Sequence, residues 1–159
     1  LKLKPQSAKA YGGRCESLNG LKQPDKAIVA CNDALAINPD DAAATWSKGR
    51  AMRQQGQILA ALRLFEEATL LQPDFVNAWV DRGSALQEVG RSAEAIEALD
   101  QAIALNRNSA EAWSIRGAAL WNLGRFDQAV ASLDKALEIQ PNATGAKALR
   151  RQAKEELGY

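Results

Sequence analysis

The chain has 159 residues, of which 47% are hydrophobic and 25% are charged, a balance typical of a folded domain rather than a disordered segment. A formal net charge of +1 gives no electrostatic reason to expect nucleic acid or a membrane as partner. The sequence contains no histidine, the commonest general base and metal ligand, so we expect no enzyme, no cofactor and no metal site. We expect a cytoplasmic protein, although a targeting signal before Leu1 is an open alternative because the sequence does not begin with Met.

Residues of similar type recur along the chain at one fixed interval. This interval, the sequence separation between Trp79 and Trp113, is called the repeat length below. Trp79 and Gly83 are followed at this interval by Trp113 and Gly117, and many neighbouring positions keep the same spacing. Self-similarity at a fixed period indicates a stack of structural repeats. The boundaries follow in chain order: 1–7, the tail of a truncated preceding repeat; repeat 1 (8–41); repeat 2 (42–75); repeat 3 (76–109); repeat 4 (110–143); and 144–159, a C-terminal capping helix.

Each repeat contains two apolar stripes at helical spacing with a glycine between them, as at Gly56, Gly90 and Gly124. This pattern predicts two antiparallel helices of about 13 residues joined by a turn. We expect Gly117 to face Ala129 and Ala136, so that the two helices approach closely. Pro24 is expected to begin a second helix. Four polar residues are expected to cap the first helices: Asp40, Asp74, Asn108 and Asn142.

The last segment begins like a further repeat and then departs from the pattern. Its apolar stripe is expected to pack on the last hairpin and consists of Ala146, Leu149, Ala153 and Leu157. Its basic residues, from Lys147 to Lys154, are expected to form the solvated face of the cap, with a lipid or nucleic-acid patch as the minor alternative.

The pattern of Trp, Gly, Ala and Pro at fixed places in each repeat resembles the tetratricopeptide repeat (TPR) family. The resemblance covers residues 8–143, with departures in repeat 1, where Cys15 and Lys22 replace the two glycines, and in repeat 2, where Trp46 stands one place late. It implies an all-α fold, a right-handed solenoid of stacked antiparallel helix hairpins. It also implies a scaffold that binds a protein or peptide in a concave groove.

Two other functions are alternatives to groove binding. One is a structural building block that self-associates through an exposed N-terminal face, because an uncovered apolar helix face tends to find a partner. The other is the interaction region of a larger enzyme or assembly factor. A longer sequence would distinguish the last of these from a free-standing scaffold.

In the family, the first helix of each repeat lines the groove. Residues of these helices that differ between the repeats are therefore the candidates for binding. The predicted groove residues are Trp46, Arg50, Arg53, Asn77, Val80, Asp81, Ser84, Gln87, Glu88, Glu111, Ser114, Ile115, Trp121 and Asn122. Their mixed charges favour a peptide with its own charges over a polyanion. Trp46 and Trp121 are the candidate anchors, since tryptophan is enriched at binding hot spots, although each could instead pack against the neighbouring repeat. Trp79 and Trp113 are predicted in the hairpin core.

Some TPR co-chaperones hold the C-terminal carboxylate of a partner with lysine, asparagine and arginine side chains. The corresponding places in this sequence carry Gly12, Glu16, Ser47, Asn77 and Asp81. The clamp is therefore absent, and we do not expect chaperone tails to bind.

Two further sets of residues are interpreted as structural. Arg14, Lys48, Arg82 and Arg116 recur once per repeat and are expected to cover the hairpin or to pair with an acid of a neighbouring repeat. Cys15 and Cys31 fall at packing positions of one hairpin, and we expect two reduced core thiols, with a disulfide as the alternative.

Overall fold

A computed structural model describes residues 5–158 of the chain, with side chains from Ala8 onward. Within that range the backbone forms nine α-helices and no strand, which confirms the predicted all-α fold. The helices are α1 Pro5–Gly20, α2 Pro24–Ile37, α3 Ala42–Gln54, α4 Ile58–Leu71, α5 Val76–Glu88, α6 Ser92–Leu105, α7 Ala110–Asn122, α8 Phe126–Ile139 and α9 Thr144–Glu156. They are grouped into two compact units, Leu1–Ala78 and Trp79–Tyr159, which we call the N-terminal unit and the C-terminal unit.

Helices α3 to α8 have 13 or 14 residues and pair as hairpins, as the apolar stripes predict. Helix α1 differs because it begins at Pro5 and so crosses the predicted start of repeat 1 at residue 8. The rest of the predicted preceding repeat falls on residues 1–4, outside the described part of the chain. Self-association through the N-terminal face also stays a prediction, because it concerns side chains of residues 1–7.

The side-chain caps of α3 and α7 lie one residue later than predicted, and the cap predicted at Asp74 stays a prediction. Asp41 Oδ1, not Asp40, accepts a hydrogen bond from the backbone N–H of Ala44 at 3.0 Å. Ser109 Oγ accepts one from Ala112 at 3.2 Å and takes the place predicted for Asn108. Before α9 the cap position is Ala143, so the prediction for Asn142 is also wrong. Pro24 stands at the start of α2, as predicted.

A glycine on the first helix and a large residue on the second hold each hairpin together in repeats 2 to 4. A Cβ atom added to Gly49 would lie 2.7 Å from Phe65, and one added to Gly83 or Gly117 would lie 2.6 Å from Leu99 or Leu133. The main partner of Gly117 is therefore Leu133 and not Ala136, while the predicted neighbour Ala129 contributes its carbonyl oxygen. Glycine is required because any side chain would collide with the buried partner.

Repeat 1 replaces this glycine–large pair with two cysteines. Cys15 and Cys31 stand one repeat length before Gly49 and Phe65, are fully buried, and form a disulfide with Cα atoms 5.2 Å apart. That separation lies in the range of ordinary disulfides. The expectation of two reduced thiols is wrong, and the register explains why: the places that pack closest in the other hairpins both carry a thiol here.

Arg116, one of the four recurring basic residues, pairs with an acid of the preceding repeat, as predicted. Arg116 donates to Asp100 Oδ1 at 2.6 Å and to Ser132 Oγ at 2.7 Å. One repeat length later, Arg150 on α9 forms the equivalent ion pair with Asp134. Arg150 is therefore part of the repeat pattern and not only of a solvated face, which corrects the interpretation of the basic run at this position.

The turn of repeat 1 adopts a left-handed conformation without a glycine. Lys22 has φ of 54°, whereas the equivalent Gly56, Gly90 and Gly124 have φ between 71° and 79°. We expect Lys22→Gly to raise the free energy of unfolding by up to about 1 kcal/mol, because a side chain costs energy in this region. Urea unfolding measures the change. As a control, Gly56→Lys should lower the same quantity by about 1 kcal/mol; stabilisation by both changes would contradict the argument.

Candidate functional site

A groove of about 630 Å³ lies in the C-terminal unit beside the first helices α5 and α7 and the last helix, α9. Its apolar part is formed by Ile115 and Ala118 on α7, by Ala146 and Leu149 on α9, and by Leu133 from below. Leu133 is fully buried, whereas Ile115 and Leu149 are half-exposed. A cavity of this size with a largely apolar lining suits a few side chains of a ligand. We call it the C-terminal groove.

Polar side chains border the C-terminal groove on α5 and α7. They are Ser84, Gln87, Glu88, Ser114 and Asn122. Together with Ile115, these are six of the fourteen predicted groove residues, and the structure brings them to one place. Hydroxyl and amide groups at the edge of an apolar floor can accept and donate hydrogen bonds to a peptide backbone.

Other predicted groove residues of the same unit lie elsewhere. Val80 is buried with 5% of its surface exposed, so it belongs to the packed interior and not to an accessible groove wall. Trp121 packs edge-to-face on Phe126, with ring centroids 6.4 Å apart, and its buried Nε1 has no hydrogen-bond partner among the described residues. Neither Trp121 nor the acids Asp81 and Glu111 line the C-terminal groove.

The residues that sequence reasoning missed lie on α9. Gly145, Ala146 and Leu149 contribute to the C-terminal groove, whereas the sequence pattern predicts only a capping helix there. A signal was available, because Leu149 stands one repeat length after Ile115. Extending the repeat register past residue 143 would have placed Leu149 on the groove wall.

The N-terminal unit has a separate cavity of about 430 Å³, here called the N-terminal cavity. It is lined by α1, by α3 with its cap, and by the segment around Phe75; its residues are Lys9, Gly12, Gly13, Glu16, Asp41, Ala43, Ala44, Trp46, Ser47, Phe75 and Asn77. Four of the places corresponding to the carboxylate clamp therefore meet in one cavity. None of those four places carries a basic side chain.

Trp46 forms part of the wall of the N-terminal cavity. Its ring packs edge-to-face on Phe75, with centroids 5.2 Å apart, and the Arg50 guanidinium lies 4.9 Å from its centre. Only 8% of Trp46 is exposed, so it supports the cavity more than it projects into it. Arg50 lines a third cavity with Asn19 and Gln54, and half-buried Arg53 lines neither of the two named sites.

The tryptophans predicted in the hairpin core are only half-buried. Trp113 packs against the Leu133 cluster, its Nε1 donates to the carbonyl of Arg107 at 2.9 Å, and Arg116 lies 5.9 Å from its ring centre. Trp79 is half-buried in the same way beneath Arg82, at 5.2 Å. These arginines cover the tryptophans, which is the structural role expected of the recurring basic residue.

On α6, a side-chain hydrogen bond from Arg91 at 2.7 Å holds the pKa of Glu94 below its ordinary value, but Glu94 is an exposed residue that lies outside both cavities. In the described part of the chain, no three Cys, Asp or Glu side chains are grouped closely enough to hold a metal ion. The helices of residues 5–158 all fall short of the length and apolarity that crossing a bilayer requires.

Two family models described as tetratricopeptide repeat match residues 18–80 and 80–144, and together they span most of the chain. The chain belongs to the TPR family. No curated protein sequence matches it. Among solved structures, a MamA protein is 22% identical with a TM-score of 0.79 and coverage of 98% of this chain and 90% of that one. MamA from Desulfovibrio magneticus RS-1 is 18% identical, with a TM-score of 0.80 and coverage of 96% and 92%.

A third structure, the first TPR domain of Spaghetti (RPAP3) bound to the HSP90 peptide SRMEEVD, is 27% identical to this TPR chain. Its TM-score is 0.73, and the match covers 74% of this chain and 94% of that domain. Because the sequence identity to the two MamA structures is so low, their similarity to this chain shows a shared fold and nothing about function. Together the three structures agree with the helical repeat described above.

Proposed function

We propose that this TPR chain is a protein–protein interaction module whose C-terminal groove binds a peptide segment of a partner protein. The observation that carries the proposal is the convergence of two first helices, α5 and α7, and the last helix, α9, on one accessible apolar floor with a polar border. Family membership and a related TPR domain with a peptide bound support the same role. The fold is in general a non-catalytic scaffold.

Affinity in such a groove comes from a few anchors and not from the total area. The half-exposed Ile115 and Leu149 give the floor its largest accessible side chains, so the ligand should present an aliphatic or aromatic side chain to them. Ser114 and Asn122 border the same floor and can hold the ligand backbone. The ligand class is therefore a short segment with a large apolar anchor.

A displayed library of random peptides tests the proposal while the partner is unidentified. We expect peptides selected on the wild-type chain to bind Ala118→Trp and Leu149→Ala at least about tenfold more weakly, since the first change fills the groove and the second removes an anchor. Titration of a fluorescent selected peptide measures the change.

Leu105→Ala is the matched control, because Leu105 is an exposed leucine at the end of α6 that does not line the groove. It should leave peptide affinity unchanged. Equal affinity for all variants would place the binding surface elsewhere and end the proposal. A role within a larger enzyme or assembly factor stays a prediction that a longer sequence tests.

A further inference from the structure

The N-terminal cavity has acidic side chains at or near the places where related domains hold a carboxylate. Glu16 occupies one clamp place, and Asp41 lies in the same lining. Among the lining residues that the structure describes, Lys9 is the only basic one. A carboxylate ligand would face two negative charges there, whereas a cation would be attracted by them.

We propose that the N-terminal cavity binds an arginine side chain of a partner protein. This site is separate from the C-terminal groove, and the proposal does not depend on it. The carboxylates of Glu16 and Asp41 provide acceptors for the guanidinium, whose fixed planar donors match carboxylate geometry. The ligand is therefore a cation, whereas a C-terminal carboxylate is an anion.

The walls of the cavity suit the rest of an arginine side chain. Half-buried Phe75, which packs edge-to-face on the buried Trp46, gives an apolar surface on which the aliphatic stem can lie. On the α1 side, Gly12 and Gly13 leave space, since a Cβ atom added to either would meet nothing within 4 Å. The volume of about 430 Å³ is large enough for one long side chain with its flanking backbone.

Asp41 is fixed before any ligand arrives. Its Oδ1 caps α3 by accepting from Ala44, so the side chain is held at the cavity and its second oxygen can accept from a guanidinium. Asn77 adds an exposed residue with an amide side chain to the same lining. Because the cap already orders the carboxylate, binding costs less side-chain entropy than a free surface acid would.

The test compares N-acetyl-arginine N-methylamide with its citrulline analogue, which has nearly the same shape and no charge. We expect the arginine probe, followed by ¹⁵N NMR of the full chain, to shift the amides of Gly12, Gly13 and Asn77, and the citrulline probe to leave them in place. Glu16→Gln and Asp41→Asn should each weaken binding about fivefold, and asparagine keeps the helix cap. Lys9→Gln should strengthen it about threefold, because it removes the competing charge.

Glu67→Gln on α4 removes one negative charge outside the cavity and should leave the arginine affinity unchanged. Equal shifts with arginine and citrulline, or no shift at the three amides, would overturn the proposal. So would equal or larger shifts of the same amides with N-acetyl-glutamate N-methylamide, which carries a carboxylate and no guanidinium. Ile115 and Leu149 belong to the C-terminal groove, and peptide binding there is measured separately. Loss of binding at one site is therefore distinguishable from loss of binding at the other.

Discussion

Gly117→Ala is expected to lower the free energy of unfolding by about 1–2 kcal/mol, although replacing glycine in a helix usually stabilises by about 0.5–1 kcal/mol. The reason is the approach of α7 to α8. A Cβ at residue 117 would lie 2.6 Å from Leu133 Cγ and 2.9 Å from Cδ2. Leu133 is fully buried and Cγ is its branch point, so it cannot turn aside without disturbing the core. Urea unfolding measures the loss.

Two comparisons isolate the collision from the change in helix propensity. Gly13→Ala makes the same change in the middle of α1, where a Cβ meets nothing within 4 Å, and should stabilise by about 0.5–1 kcal/mol. Gly117→Ala combined with Leu133→Ala should cost less than the sum of the single changes, because the smaller partner gives the new methyl group room. Additive costs would show that Gly117 and Leu133 are not in contact.

The sequence predicts the fold well because one physical constraint is repeated along the chain. Gly83 and Gly117 fall at the same place, and so do Leu99 and Leu133, and the close helix approach needs both. The caps were harder to predict, since Asp40 and Asp41 are adjacent and either could stand before α3. Only the backbone shows that Asp41 is the residue that accepts from Ala44.

The candidate site was only partly predictable. Ser114, Ile115 and Asn122 reach the C-terminal groove because helical spacing fixes their face. Trp121 is one of the two predicted anchors, but the structure packs it on Phe126, a contact between helices that periodicity alone does not show. Binding by Trp121 stays a prediction. Val80 is buried by packing contacts that its position in the repeat does not predict.

Reduction of the Cys15–Cys31 disulfide is expected to lower the free energy of unfolding by about 3 kcal/mol. The bond joins α1 to α2 across 16 residues, and a loop of this length loses roughly that much conformational freedom in the unfolded chain. The chain contains these two cysteines only, so a reductant has no other target. Urea unfolding with and without reductant measures the change, and alkylation of the unfolded protein counts free thiols.

Two double variants separate the covalent bond from the packing of the two positions. Cys15→Ala with Cys31→Ala removes the bond and should match the reduced protein or fall below it, and reductant should have no further effect. Cys15→Gly with Cys31→Leu installs the pair that Gly83 and Leu99 form in repeat 3, and it should recover part of the loss through packing alone. Two thiols alkylated without reductant, together with unfolding curves that reductant leaves unchanged, would show that the hairpin is held by packing and not by a bond.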